Sequence, residues 1–350
     1  MARHGSVSLL AFLILGGCLG EDCEDNLQSP WAPHPIQATD AAYPCPPAPH
    51  LASDLSTNSY YTDEHHSIVD PSLKKAYEEA TASFTQAARA VVKAADNYRT
   101  TGSRAAAQCV ITLLDTAAKD RALAGKMLSH QAFYVQGWSL SAWAIAYLKV
   151  RGSGAASAEE TKEITAWHRK MAEDNRDYYE SKRHNPQSDA HNNHLYWAGL
   201  AISATGVANH DHKLFKWGMD AYKEGVGDIT AEGTLPAEMN RAARVLHYHL
   251  YALGPLIMLA EFGEANGLDL YAEKKYAIKR LVERCVSGLQ DPSYFVQHTG
   301  VAQDMPAAIN AEEIGWAKPY VRRFPDPVIS SLMAKAPWLD YTTWGGLPPD

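Results

Sequence analysis

The sequence predicts an all-α fold, an α/α toroid in the form of an incomplete barrel of helical hairpins, on three observations. Apolar residues recur at helical spacing through most of the chain after Asp70. Alternating strand patterns are few, and no close repeat is visible. The helical segments are long and divided by Gly- or Pro-containing links such as RGSG and HNPQS. A toroid of stacked pairs leaves a central groove lined by helix ends and loops; a conventional bundle is the alternative.

Residues 1–20 read as an export signal. Arg3 and His4 precede SLLAFLILGG, an apolar run too short for a comfortable membrane span. Leu15-Gly16-Gly17-Cys18 has the form of a bacterial lipoprotein box, which would put a lipid anchor on Cys18; simple secretion with cleavage near Gly20 is the other reading. Either places the mature chain in the periplasm, at the outer membrane or outside the cell, where disulfides persist. Residues 21–56, with PWAPHP and PCPPAPH, form a Pro-rich leader. Residues 57–350 are the helical domain. Its first helix has Asp70 as cap and Pro71 at the first helical position. Helical periods follow in SRAAAQCVITLLDTAAKDRAL, QAFYVQGWSLSAWAIAYLKV, SAEETKEITAWHRKMAEDNRDYYE, HLYWAGLAISATGVA, HKLFKWGMDAYKEGVGDI, a helix over Met239–Phe262, and LYAEKKYAIKRLVERCVSGL. Beyond the signal, no segment is long and apolar enough to span a membrane.

A net charge of −8 argues against nucleic acid as partner, and any polyanionic substrate must be met by a local basic cleft. The 9 Trp and 18 Tyr supply flat rings that stack on sugars but also fill cores.

Two stretches carry the chemistry. DAHNNHLYWAGL, Asp189–Leu200, sets two amides and two histidines before an aromatic helix, which suits a capped N-terminus or an anion seat. In GTLPAEMNRAARVLHYHLYALGPL, Gly233–Leu256, Arg241 and Tyr248 stand seven residues apart. On one helix that is about 700°, so both would share a face with Cβ atoms about 10 Å apart, enough to flank a sugar ring. Arg241 as a surface ion-pair residue and Tyr248 as a core ring are the plain alternatives. Metal ligation is poorly supported: His247 and His249 face apart on a helix, and no HExxH or CxxC occurs. A glycine-rich phosphate loop and a GxSxG elbow are absent too, while paired carboxylates for glycoside hydrolysis stay open.

NNHLYW followed by the Arg–Tyr stretch resembles the mannuronate-type alginate lyases, polysaccharide lyase family five. YYTDEHHSIVDPSL, AAAQC, YLKV and SYFVQHTGVAQD resemble the same family, so the likeness runs over about 45–345. It implies an α/α toroid and β-elimination on a polyuronate, mannuronan first: the C5 proton is removed, the C4–O bond breaks and an unsaturated sugar remains. By the resemblance Asn193, His194 and Arg241 neutralise or hydrogen-bond the uronate carboxylate, as preorganised donors stabilise a developing enolate. Tyr248 handles the proton as base, acid or both, with His194 the other candidate base. A phenol needs its cationic neighbours Arg241 and Arg244 to become a usable base. Tyr196 and Trp197 are expected to stack on sugars, with Tyr251 at the rim. Cys45 and Cys109 match family cysteines, implying a disulfide that anchors the leader. No metal or other cofactor is implied. Members restricted to alginate carry Ser-Lys-Tyr in the lid loop, where this chain has Ser59-Tyr60-Tyr61; those with the YYTD lid include enzymes acting on other polyuronates. A family Arg before Gly-Gly is replaced by Trp344, so a basic subsite contact is lost or supplied elsewhere, with Lys182 and Arg183 as candidates. A helical-toroid glycoside hydrolase and a non-catalytic polysaccharide-binding protein are the rival readings.

Overall fold

Asp70 accepts hydrogen bonds from the backbone N–H of Ser72 and Leu73, and Pro71 opens helix α1, Pro71–Thr101. The computed structural model describes residues 26–32 and 36–349; the predicted signal with Cys18, and Cys23 at the start of the leader, lie outside them. Seven further long helices follow: α2 (Arg104–Lys119), α3 (His130–Val150), α4 (Ala158–Lys182), α5 (Asn193–Asn209), α6 (His212–Gly227), α7 (Val245–Glu264) and α8 (Glu273–Gln290). Their starts follow local chemistry. Ser157 and Glu160 form a capping box on α4, and Asp211 caps α6. Consecutive helices pair as hairpins, α1 with α2, α3 with α4, α5 with α6 and α7 with α8. The odd-numbered helices also pack in sequence from α1 to α7, giving the arc of an α/α toroid. β pairing among the described residues is confined to four isolated bridges.

The inner helices α3 and α5 are apolar on nearly every face because neighbours surround them, and α5 is buried from Leu195 to Ala208. The described part of the leader is packed onto this body. Leu27, Trp31, Leu51 and Leu55 are buried, and single bridges join Thr39 to Ser103 and Leu55 to Met127. Cys45 and Cys109 are disulfide-bonded with Cα atoms 5.5 Å apart, tying the leader to α2.

Four short helices, α9 (Ser293–Thr299), α10 (Ala311–Ile314), α11 (Ala317–Arg323) and α12 (Pro327–Met333), lead to a C-terminal turn that plugs the ring. Trp344 in that turn is 1% exposed and stacks on Trp197 of α5 with ring centroids 6.4 Å apart. A Cβ at Gly254 of α7 would stand 2.7 Å from the Trp344 ring, so only glycine leaves room. Trp344 is therefore a core residue and supplies no cleft contact. The plug is clasped by the buried ammonium of Lys149, which donates to Asp96 at 2.5 Å and to the carbonyls of Gly345 at 2.6 Å and Leu347 at 2.9 Å.

Candidate active site

A cleft of ≈ 1990 Å³ lies where the ends of α3 and α5, the start of α7, the C-terminal segment and the 60–70 loop meet. Of the expected site residues it brings together Tyr60, Tyr61, His194, Arg241, Arg244, Tyr248 and Tyr251. Tyr196 and Trp197, expected to stack on sugars, are core residues instead. Each is 2% exposed and neither lines the cleft, because only the first turn of α5 reaches the opening. Tyr196 packs where Gly225 leaves space on α6, and Trp197 lies between Tyr251 and Trp344.

DAHNNHLYWAGL is a capped helix start whose cap borders the cleft. Asn192 is the N-cap of α5, its Oδ1 accepting from the His194 N–H at 3.0 Å. The His194 ring stacks on Tyr134 of α3, centroids 3.8 Å apart and planes 15° from parallel. Burial, with Arg241 adding to it, pushes the His194 pKa down to about 3, so its imidazole is neutral at neutral pH. Its Nδ1 is buried without a hydrogen-bond partner.

The shared helical face expected for Arg241 and Tyr248 does not exist. The helix over Met239–Phe262 begins instead at Val245, and Arg241 stands between two 3₁₀ turns, Glu238–Asn240 and Ala242–Arg244. Ala242 carries a φ of 46°, a left-handed kink that helical periodicity could not anticipate. The kink folds Arg241 back, so its guanidinium lies 4.4 Å from the centre of the Tyr248 ring and leaves no room for a sugar between them. Arg244 lies 5.4 Å from the same centre. Burial first, then the neighbouring Tyr61, raises the Tyr248 pKa; Arg241 and Arg244 oppose this without reversing it.

The loop from Tyr60 to Asp70 closes over this pair. It returns on itself through Thr62 N–H to Ile68 O at 3.0 Å and Asp70 N–H to Tyr60 O at 2.9 Å. Tyr61 accepts a hydrogen bond from Arg244, Tyr248 donates to the His66 carbonyl at 3.4 Å, and His65 Nδ1 meets the Asn240 carbonyl at 2.9 Å.

Asn193 does not line the cleft as an open donor. It is fully buried, and both its backbone N–H and its Nδ2 donate to Glu238 Oε1 at 2.8 Å. Glu238, buried beside Arg241, is a residue that sequence reading missed; its place three before Arg241 within PAEMNR was the available signal. A second missed group centres on Asp189, which accepts from Tyr134 and Tyr178 hydroxyls at 2.5 Å each and pairs with Lys182 at 2.9 Å. Burial would raise the Asp189 pKa, but those hydrogen bonds together hold it below the usual carboxylate range. Lys182 thus sits in the cleft already paired, while Arg183 is bonded to Glu224. His247 faces the cleft and His249 turns away into a bond with the Val245 carbonyl at 2.8 Å. Tyr251 stacks on His247, with ring centroids 6.0 Å apart. Trp338, 58% exposed, stands on the cleft rim and was not singled out from sequence. Among the described residues no group of three His, Cys, Asp or Glu could hold a metal ion, and no helix is long and apolar enough to cross a membrane.

Residues 54–295 match the family model described as alginate lyase. A polysaccharide lyase of Stenotrophomonas maltophilia is 39% identical over 298 residues, covering 84% of this chain and 86% of that protein. An alginate lyase of Pseudomonas syringae is 33% identical over 322 residues, covering 89% and 84%. In fold, the chain resembles the crystal structure of alginate lyase A1-III from Sphingomonas species A1 with a TM-score of 0.72 and 24% identity, covering 95% of this chain and 91% of that one.

Proposed function

The chain belongs to the alginate lyase family and is a polysaccharide lyase, and we propose that it is exported and acts first on poly-β-D-mannuronate. One observation carries the chemical reading: a phenol flanked by two guanidinium groups shares a cleft with a neutral imidazole. β-Elimination needs these parts. The C5 proton becomes removable only when the neighbouring carboxylate is neutralised, and Arg241, with His194 beside it, supplies that. As the C5–H bond breaks, its electron pair forms the C4–C5 double bond and the C4–O bond is released; the departing oxygen takes up a proton. Mannuronate presents proton and leaving group on one face, so Tyr248 serves both transfers. Arg241 and Arg244 favour its phenolate against the effect of burial. For a uronate with its C5 hydrogen on the opposite face, His194 is the base.

The exposed rim ring of Trp338, with Tyr60 and Tyr61 of the lid loop, offers aromatic surface to the polymer, and a ring face discriminates weakly among hydroxyl orientations. Substrate breadth beyond mannuronan follows. The hydrolase and binding-protein rivals are not favoured by family membership. A lipid anchor at Cys18 belongs to the proposed export and is checked by metabolic labelling with a radioactive fatty acid. The experiment for the whole reading is ultraviolet absorbance of conjugated unsaturated ends on polymannuronate, polyguluronate, polyglucuronate and hyaluronan. Rapid signal on polymannuronate is expected; reducing ends without absorbance would mean hydrolysis.

A further inference from the structure

We propose that Glu238 is the positioning residue that aims Arg241, the cation meeting the uronate carboxylate, and fixes the Asn193 amide behind His194, an inference that rests on the function proposed above. Its side chain is 1% exposed. A buried carboxylate is tolerated only when it is paired and hydrogen-bonded, and Glu238 satisfies that condition with groups of the site itself. Oε1 accepts from the Asn193 backbone N–H and Nδ2 at 2.8 Å each, and Oε2 accepts from Arg241 Nε at 3.1 Å.

Two consequences follow from that geometry. A side-chain amide beside a carboxylate must turn its NH₂ toward it, so Glu238 fixes which way Asn193 faces. The atom left over is Oδ1, buried and without a partner, next in sequence to His194. The free atom of Asn193 is therefore an acceptor, not the donor to the uronate carboxylate that the family resemblance implies. Arg241 lies outside any helix, between two 3₁₀ turns that have no side-chain caps, so local backbone structure does little to aim its guanidinium. Glu238 takes the Nε hydrogen, leaves the Nη groups for a ligand, and holds the guanidinium plane against Tyr248. One carboxylate thus sets the amide beside the imidazole and the cation beside the phenol, without itself lining the cleft.

The test compares Glu238→Gln and Glu238→Asp with wild type on mannuronan and on its methyl ester, whose carboxyl needs no neutralisation. Gln can still accept from Asn193 but turns an N–H donor toward the Arg241 Nε donor. Asp keeps the charge and withdraws it by one methylene. Expected for the Gln variant is a folded protein whose kcat falls at least about 30-fold while KM rises less, and whose loss shrinks below about threefold on the ester. Asp should fold, lose less than Gln, and show the same insensitivity on the ester, so either variant alone decides. Adding Glu238→Gln to Arg241→Gln should cost little more than Arg241→Gln alone, since the two act as one unit. Equal losses on acid and ester, additive losses in the double variant, or more than half of kcat retained would each overturn the role. Should wild type form no unsaturated ends on any polyuronate, the proposed function itself fails. Glu238 is then judged by calorimetric affinity for mannuronate oligomers, which Glu238→Gln should weaken at least about threefold and which, if unchanged, rules it out.

Discussion

Replacing Lys149 with Met tests whether the C-terminal plug is held by a buried charge and whether the cleft depends on it. The Lys149 side chain is 0% exposed and its ammonium makes three hydrogen bonds, to Asp96 and to the carbonyls of Gly345 and Leu347. Burial lowers its pKa, and Asp96 opposes that shift. Met fills the volume of the stem but supplies no donor. Asp96 would keep the bond from the Leu347 N–H at 2.9 Å and lose the Lys149 ammonium. Removing one partner of a buried pair costs about 3–5 kcal/mol. Asp96 is 14% exposed at its side chain, so water can reach it and the lower end, about 3 kcal/mol, is expected. Urea unfolding followed by circular dichroism measures this, with the slope unchanged if two-state behaviour is kept. Because the plug carries Tyr341 and Trp338 on the cleft wall, KM for polymer should also rise. A loss below about 1 kcal/mol with KM unchanged would refute the clasp, since that is the worth of an exposed pair.

Further outcomes are expected for pH, the lid and metal. kcat/KM on mannuronan should climb with pH through the neutral and alkaline range: burial raises the Tyr248 pKa, and the reactive base is its deprotonated form. With its pKa at about 3, His194 should add no acid limb in the ordinary histidine range, and a limb near pH 6.5 that His194→Gln abolishes would refute that. Tyr60→Lys adds a cation to a lid that leans on rings, so it should shift preference toward mannuronan and steepen salt dependence; assays over an ionic-strength series that show neither remove the lid as specificity element. Exhaustive chelation should leave the rate unaltered, and loss with EDTA restored by calcium or zinc would contradict the assignment of carboxylate neutralisation to protein groups.

The fold was readable because it is written in local signals. Asp70 with Pro71, and Ser157 with Glu160, mark helix starts by chemistry that needs no tertiary context. The site was readable only in part. Arg241 and Tyr248 were found together, yet for a wrong geometric reason: seven-residue spacing fits one helix face, while the observed approach comes from a left-handed kink at Ala242. Tyr196 and Trp197 looked like a sugar platform because their rings suit one, but α5 is enclosed by its neighbours, and ring chemistry says nothing about which way the enclosed face points. Glu238 and Asp189 were missed for the opposite reason. A lone carboxylate in sequence carries no mark of burial, and their partners Asn193 and Tyr134 stand 45 and 55 residues away.

The most direct test of the central claim is Tyr248→Phe assayed on polymannuronate by ultraviolet absorbance, with folding checked by thermal melting. The substitution deletes one hydroxyl, whose hydrogen bond to the His66 carbonyl is long at 3.4 Å, so the fold should persist. The Arg241 guanidinium should keep its place over the ring. Formation of unsaturated ends should fall by a factor on the order of 10² or more, with polymer still bound. A folded Tyr248→Phe protein that retains more than half the wild-type rate would take proton transfer away from Tyr248 and contradict the account.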